Sequence, residues 1–185
     1  MLNLDILFPS LLNGLTTGAV YALVALGLTL IYGVLHIINF AHGAALMLAL
    51  YGVYLLHTQL GWDPYLSLPV MVAGMFVLGY ALQRLIINRA SHGKDENILL
   101  VTLGLAIVME NLALLAFSAD TRSIDTPYTL RTVPIGPAMI ALPKLIAFGG
   151  ALAVAALLLW IVKRTDLGRA IRAVAKEKQG AKLMG

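Results

Sequence analysis

LLNGLTTGAVYALVALGLTLIYGVLHIINFAHGAALMLALYGVYLL, residues 11–56, contains no Asp, Glu, Lys or Arg. About 20 apolar residues at 1.5 Å rise cross the hydrocarbon core of a bilayer. The stretch therefore holds two spans and a short link. Backbone polar groups in lipid must be satisfied within their own segment, which makes each span a helix. The alternating, roughly ten-residue segments of a membrane barrel are not seen.

The same pattern continues outward. Spans are expected at residues 10–32, 40–56, 66–87, 98–117 and 145–162, with Arg84 near the end of the third and Glu110 inside the fourth. The expected fold is an all-α integral membrane protein with about five transmembrane helices in one domain, residues 1–185. It has a short buried link between spans one and two and a polar segment at 164–185. Composition agrees: 60% of residues are hydrophobic and 12% charged, against roughly 45–50% and 25% in soluble domains. Lipid removes the need for a charged surface.

The absence of cysteine excludes disulfides, thiolate metal sites and a cysteine nucleophile. The net charge of +4 lies between apolar runs rather than on one soluble face, so a nucleic-acid partner is not expected. MLNLDILFPS carries no Lys or Arg. A secretory signal opens with a positive region, so the first helix is expected to remain in the mature protein.

Lys and Arg set the expected orientation. Arg84, Arg89 and Lys94 follow span three, and Lys163, Arg164, Arg169, Arg172, Lys176, Lys178 and Lys182 follow span five. These are ten of the thirteen basic residues; Arg122, Arg131 and Lys144 fall on the other side. The loops after spans three and five are thus expected in the cytoplasm and the N-terminus outside. Gly61-Trp62-Asp63-Pro64 reads as a turn, with Trp62 and Tyr65 at the interface. Residues 118–144, with Pro127, Pro134, Pro137 and Pro143, read as an external loop.

Small residues recur every four positions. Gly14, Gly18 and Ala22 do so in span one, continued by Ala25, Thr29 and Gly33, and Ala41, Ala45 and Ala49 do so in span two. Such stripes let helix backbones approach closely.

Three places offer chemistry. The link LHIINFAHG, residues 35–43, holds His36, Asn39 and His42 without a basic residue. A link buried in protein or dipping into the membrane fits that composition better than a cytoplasmic turn. It would place Asn39 beside a positive helix end; a plain helix-capping role for Asn39 is equally consistent. His36 and His42, six apart, lie on different helical faces, and no metal motif accompanies them. Glu110, followed by Asn111, lies mid-span. Thr102, Ala106, Glu110 and Ala113 are spaced to share a face expected to look inward, where Glu110 lines a pore, meets a subunit or makes a structural hydrogen bond. The basic, amphipathic residues 164–185 set Leu167, Ile171, Val174 and Ala175 against Arg169, Arg172 and Lys176. They suit either a membrane-surface helix or a docking helix. No phosphate-binding loop, GxSxG elbow or zinc motif is found, so no catalytic residue, metal or cofactor is expected in this chain.

Several of these stretches together resemble the permease subunits of branched-chain amino acid ABC importers, of the LivH type. They are Asn13-Gly14-Leu15…Gly18…Tyr21-Ala22-Leu23…Ala25-Leu26-Gly27-Leu28…Ile31-Tyr32-Gly33, then Ile38-Asn39-Phe40-Ala41-His42-Gly43, then Thr102-Leu103-Gly104-Leu105, then Thr165…Gly168-Arg169-Ala170-Ile171-Arg172-Ala173, and the closing Ala181-Lys182-Leu183-Met184-Gly185. The resemblance implies a multi-pass transport subunit of a bacterial inner membrane. Its partners would be a second permease, two ATP-binding subunits that use the ATP, and a periplasmic substrate-binding protein. Asp166, Gly168, Arg169, Arg172 and Gly185 would fall in the cytoplasmic segment that couples to the ATPases. Asn39, His42, Glu110 and Asn111 would line or support the path, and Gly14, Gly18 and Ala22 would pack helices. Members of that family usually continue with further spans, so this chain is expected to lack the C-terminal part. Urea or short-chain amide permeases look alike within the family, and a truncated, non-transporting membrane scaffold is the reading from outside transport.

Overall fold

A computed structural model describes residues 4–35, 37–90 and 95–176. In chain order the elements are α1 (Leu4–Leu35), α2 (His42–Leu60), α3 (Leu68–Ala90), α4 (Asp95–Phe117), β1 (Thr132–Ile135), β2 (Ala138–Ala141), α5 (Leu142–Arg164) and α6 (Asp166–Lys176). Among the described residues, α1 to α5 are each long and apolar enough to cross a membrane. The protein is a multi-pass, all-α membrane protein, as the apolar runs predict. The chain divides into two compact units, one of residues 37–125 and one of residues 1–36 with 126–185.

In the first of these units α4 is the packing centre. It buries 22% of its most apolar window, against 6% for α2 and α3. Ala41 and Ala44 meet Leu105, Ala106 and Met109, with Ala45, Leu48 and Leu82 against them. The small residues of span two are thus used as expected, since close approach needs short side chains. Farther along, the Tyr51 and Phe117 rings stack at 4.1 Å, and the Arg122 guanidinium lies 5.9 Å from the Tyr54 ring. The Tyr51–Phe117 contact comes later in sequence on each helix than the Ala44–Leu105 packing, so α2 and α4 run parallel.

The turn from α2 to α3 is built from local hydrogen bonds. Gly61 adopts φ 66°, and its N–H donates to the His57 carbonyl at 3.0 Å. That left-handed conformation favours glycine and ends the helix. Asp63 Oδ1 accepts the Tyr65 N–H at 2.9 Å, and the buried Ser67 hydroxyl donates to the Asp63 carbonyl at 3.1 Å. Burial, followed by the Asp63 carboxylate, pushes the Tyr65 phenol above its ordinary pKa. Near its C-terminal end α3 widens into a π-helical segment, Gln83–Ile87, where Arg84 donates to the Tyr80 hydroxyl at 2.8 Å.

In the second unit α1 packs along α5, and β2 lies against α1. The connection expected as a loop over residues 118–144 contains a short hairpin. β1 and β2 pair antiparallel from Thr132↔Ala141 to Ile135↔Ala138. Gly136 takes φ 59° at the first of two turn residues, and Pro137 takes the second. That is the arrangement of a type II′ hairpin turn. Ala138 and Ile140 are buried while Met139 is exposed, the alternation of a half-buried strand. Lys144 Nζ donates to Asn13 Oδ1 at 3.1 Å and ties the start of α5 to α1.

Candidate functional site

The link before α2 is held by a small set of hydrogen bonds. Asn39 Oδ1 accepts the Ala41 N–H at 2.9 Å, and the Asn39 carbonyl accepts the His42 N–H at 3.2 Å. Asn39 therefore folds the chain in an Asx turn ahead of the helix and does not cap its second or third N–H. The side-chain amide of Asn39 has no partner among the described residues and is half-exposed. Ile37 and Ala41 are buried, whereas Ile38 and Phe40 are about half exposed, so the link is buried on one side only. His36 lies outside the described residues.

Thr102 of α4 closes this arrangement. Its hydroxyl accepts the Phe40 N–H at 3.3 Å and donates to the Leu99 carbonyl at 3.1 Å, and the residue is 1% exposed. Thr102 is the seventh residue after the start of α4, which places the link about 10 Å along that helix. Because α2 and α4 are parallel, α2 begins well inside the level at which α4 begins. Sequence reading placed Thr102 on an inward face without seeing this bond. The available signal was a hydroxyl on a stripe of small residues.

Glu110 departs from the expected inward face. Thr102, Ala106 and Ala113 are buried, but the fourth place on that stripe belongs to Met109, and Glu110 is exposed. Successive residues turn 100°, so Glu110 sits at the margin of the packed stripe and Asn111 on the far side. Asn111 Nδ2 donates to its own helix, to the Ile107 carbonyl at 2.8 Å. Glu110 has no partner among the described residues. Asn39, His42 and Thr102 come together; Glu110 and Asn111 lie about 12 Å farther along α4.

The elbow between α5 and α6 is tightly made. The Thr165 hydroxyl donates to the Ile161 carbonyl at 2.6 Å and accepts the Gly168 N–H at 3.1 Å, so one side chain closes α5 and opens α6. Gly168 is required sterically: a Cβ there would strike the Ile161 and Val162 carbonyls. Asp166 pairs with Arg169 on the exposed side. Arg172 is exposed, and Gly185 lies outside the described residues.

Gly14, Gly18 and Ala22 do not lie in the packed seam of α1 with α5. All three are exposed, and a Cβ added at Gly14 or Gly18 would meet nothing within 4 Å. α1 turns a different face inward, marked by the buried Thr16 and the Asn13–Lys144 bond. No group of three or more His, Cys, Asp or Glu able to hold a metal occurs among the described residues.

The family described as "Branched-chain amino acid transport system / permease component" matches residues 10–185. The chain belongs to this family. The match takes in all five spans, the link and the elbow. Relatives include the BraD permease protein of the Pseudomonas aeruginosa high-affinity branched-chain amino acid transport system, 28% identical over 187 residues, covering 95% of this chain and 61% of the relative. The corresponding LivH permease protein of Escherichia coli K12 is 26% identical over 193 residues, covering 94% and 60%. That of Salmonella typhimurium is 26% identical over 188 residues with the same coverage. The chain thus spans about 60% of the length of the curated relatives it matches. No solved structure matches it significantly.

Proposed function

We propose that this permease-family chain contributes the membrane path of an ABC importer for branched-chain amino acids. The observation that carries the reading is the family match across residues 10–185, together with relatives whose names specify that transport system. The chain acts as a transport subunit without catalysis of its own. It pairs with a second permease and with two ATP-binding subunits that hydrolyse ATP, and it receives substrate from a periplasmic binding protein. It lies in a bacterial inner membrane with its N-terminus outside, the arrangement favoured by basic residues after α3 and α5. Residues 1–185 serve as one permease domain.

The link geometry supports the path reading. An irregular backbone at membrane depth is tolerated where it lines a cavity or packs on protein. Here one side packs on Thr102 and the other is open. The start of α2 presents the positive end of a helix, suited to a substrate carboxylate. The Asn39 amide and His42 stand at that end, as path-lining or supporting groups. Glu110 lines the same path or a subunit contact deeper along α4, because an ionisable group is costly against lipid, and Asn111 supports that region from the far side of the helix. ATP binding moves the coupling segment, and the rigid Thr165–Gly168 elbow passes that movement to α5 for alternating access.

Deletion of the gene in its host, followed by uptake of radiolabelled leucine, isoleucine and valine at low concentration, tests this. Loss of all three uptakes, restored by the gene in trans, is expected. Loss of urea or acetamide uptake with leucine uptake intact would transfer the reading to the other branch of the family. Unchanged uptake alongside co-purification of an ATP-binding subunit would leave a scaffold.

A further inference from the structure

At the α6 end of α1 and α5 a groove of about 270 Å³ opens between the three helices. Its walls include Leu26 and Leu30 of α1, Leu158 and Val162 of α5, and Ile171 of α6. Thr29 also lines it, but its hydroxyl donates to the Ala25 carbonyl at 2.8 Å and offers no free hydrogen to the groove. The one charged residue in the lining is Arg172.

Charge around this opening is uneven. Arg169 is paired with Asp166. Arg172, Lys163 and Arg164 are exposed and have no anionic partner among the described residues. Lys163 and Arg164 form the last turn of α5, which marks the membrane–water boundary at that end. α6 is too short to span, carries cations on one side, and rests on the ends of α1 and α5. Such a helix lies in the interface. The groove therefore has an apolar interior at acyl-chain depth and an unpaired guanidinium at headgroup depth.

We propose that this groove is a site for one anionic phospholipid, with an acyl chain along Leu30 and Val162 and the phosphate paired with Arg172. The volume is near the lower end of the roughly 300–1,000 Å³ of small-ligand pockets. It takes part of a chain and leaves the headgroup outside. A guanidinium presents a planar fork of donors to phosphate oxygens, often bidentately. Lys163 and Arg164 add attraction for net negative charge, roughly fivefold in occupancy for each cation near an anionic surface. The site requires the membrane setting alone, so it is independent of the substrate carried.

The test uses the full chain in nanodiscs containing phosphatidylglycerol with a diazirine at the end of one acyl chain. Adducts are mapped by peptide mass spectrometry, with diazirine phosphatidylcholine in parallel. Adducts concentrated on Leu26–Leu30 and Leu158–Val162 are expected, at least about fivefold more abundant with phosphatidylglycerol. Arg172→Gln should cut that preference about fivefold, Arg172→Lys should retain most of it, and Leu30→Trp should block both lipids there. Unchanged adducts on the lipid-exposed face of α3 report that each variant is folded. Equal labelling by both headgroups would overturn the phosphate site. Absence of groove adducts while α3 is labelled would overturn the lipid site and assign the groove to protein.

Discussion

Thr102 Oγ1 lies 3.3 Å from the Phe40 backbone nitrogen, and 62 residues of chain separate the two. This bond joins the link to the helix at the centre of its unit. It also supplies a partner to a backbone N–H that no regular element would satisfy. Leaving such a group unpaired costs roughly 1–3 kcal/mol. Thr102→Val, nearly the same shape without the hydroxyl, should lower the detergent-solubilised chain's thermal stability by about that amount. Thr102→Ser should lower it less. Unfolding followed by tryptophan fluorescence distinguishes them, and equal stability of all three proteins would show that the bond contributes nothing.

Asn39 allows its two halves to be tested separately. Its oxygen holds the Asx turn through the Ala41 N–H, and its amide has no partner among the described residues. Asn39→Asp keeps the acceptor and removes the amide donors. Asn39→Leu removes both. If the residue serves the path, both substitutions should cut leucine uptake by at least tenfold, with the Asp variant close to native stability. Full uptake by the Asp variant would reduce Asn39 to a turn former.

The sequence made the five spans legible because apolar length is a direct physical requirement of the bilayer. The packing of Ala41 and Ala45 against α4 was legible for a similar reason, since small side chains at helical spacing permit close approach. The hairpin was not. Thr132–Ile135 and Ala138–Ala141 are four-residue strands amid prolines, and periodicity over four residues is a weak signal. The placement of Glu110 failed on rotation. Spacings of four, four and three fit a face, but packing centred on Met109 and Ala106 turned that face by part of a helical turn. The Thr102–Phe40 bond depends on which hydroxyl meets which loop, and one-dimensional spacing cannot supply that.

Gly168 should be intolerant of even a methyl group. The atoms its Cβ would meet are the backbone carbonyls of Ile161 and Val162, which cannot swing aside as a side chain can. Overpacking of this kind costs roughly 1–3 kcal/mol, and the cheaper relief is to open the α5–α6 elbow. If α6 couples the chain to ATP-binding subunits, Gly168→Ala in the assembled transporter should preserve ATP hydrolysis while uptake falls severalfold. Gly150→Ala, where nothing lies within 4 Å of the added atom, should be silent. Equal behaviour of the two variants would remove the elbow from the coupling mechanism.

Charge reversal at Arg169 separates docking from stability. Its pairing with Asp166 is exposed, the side chains retaining 67% and 89% of their accessibility, and exposed pairs contribute at most about 1 kcal/mol. Arg169→Glu should therefore leave thermal stability nearly unchanged. If α6 meets an ATP-binding subunit, the same variant should weaken co-purification of that subunit and uncouple uptake from hydrolysis. Normal co-purification with normal uptake would place the docking contact elsewhere.

The exposed stripe of α1 leads to the last expectation. Gly14, Gly18 and Ala22 are exposed, whereas Thr29 and Gly33, farther along the same face, line the groove toward α5 and α6. Small side chains on a membrane helix favour close approach of a second helix. A Cβ at Gly18 meets nothing within 4 Å, so Gly18→Leu should change the isolated chain's stability by no more than about 0.5 kcal/mol. If the stripe meets a second permease subunit, cross-linking or co-purification of that subunit should fall several-fold. Val20→Ala, an exposed change on the opposite face of α1, should leave assembly intact. Should Gly18→Leu assemble normally, the stripe faces lipid; should it destabilise the isolated chain, the contact is internal.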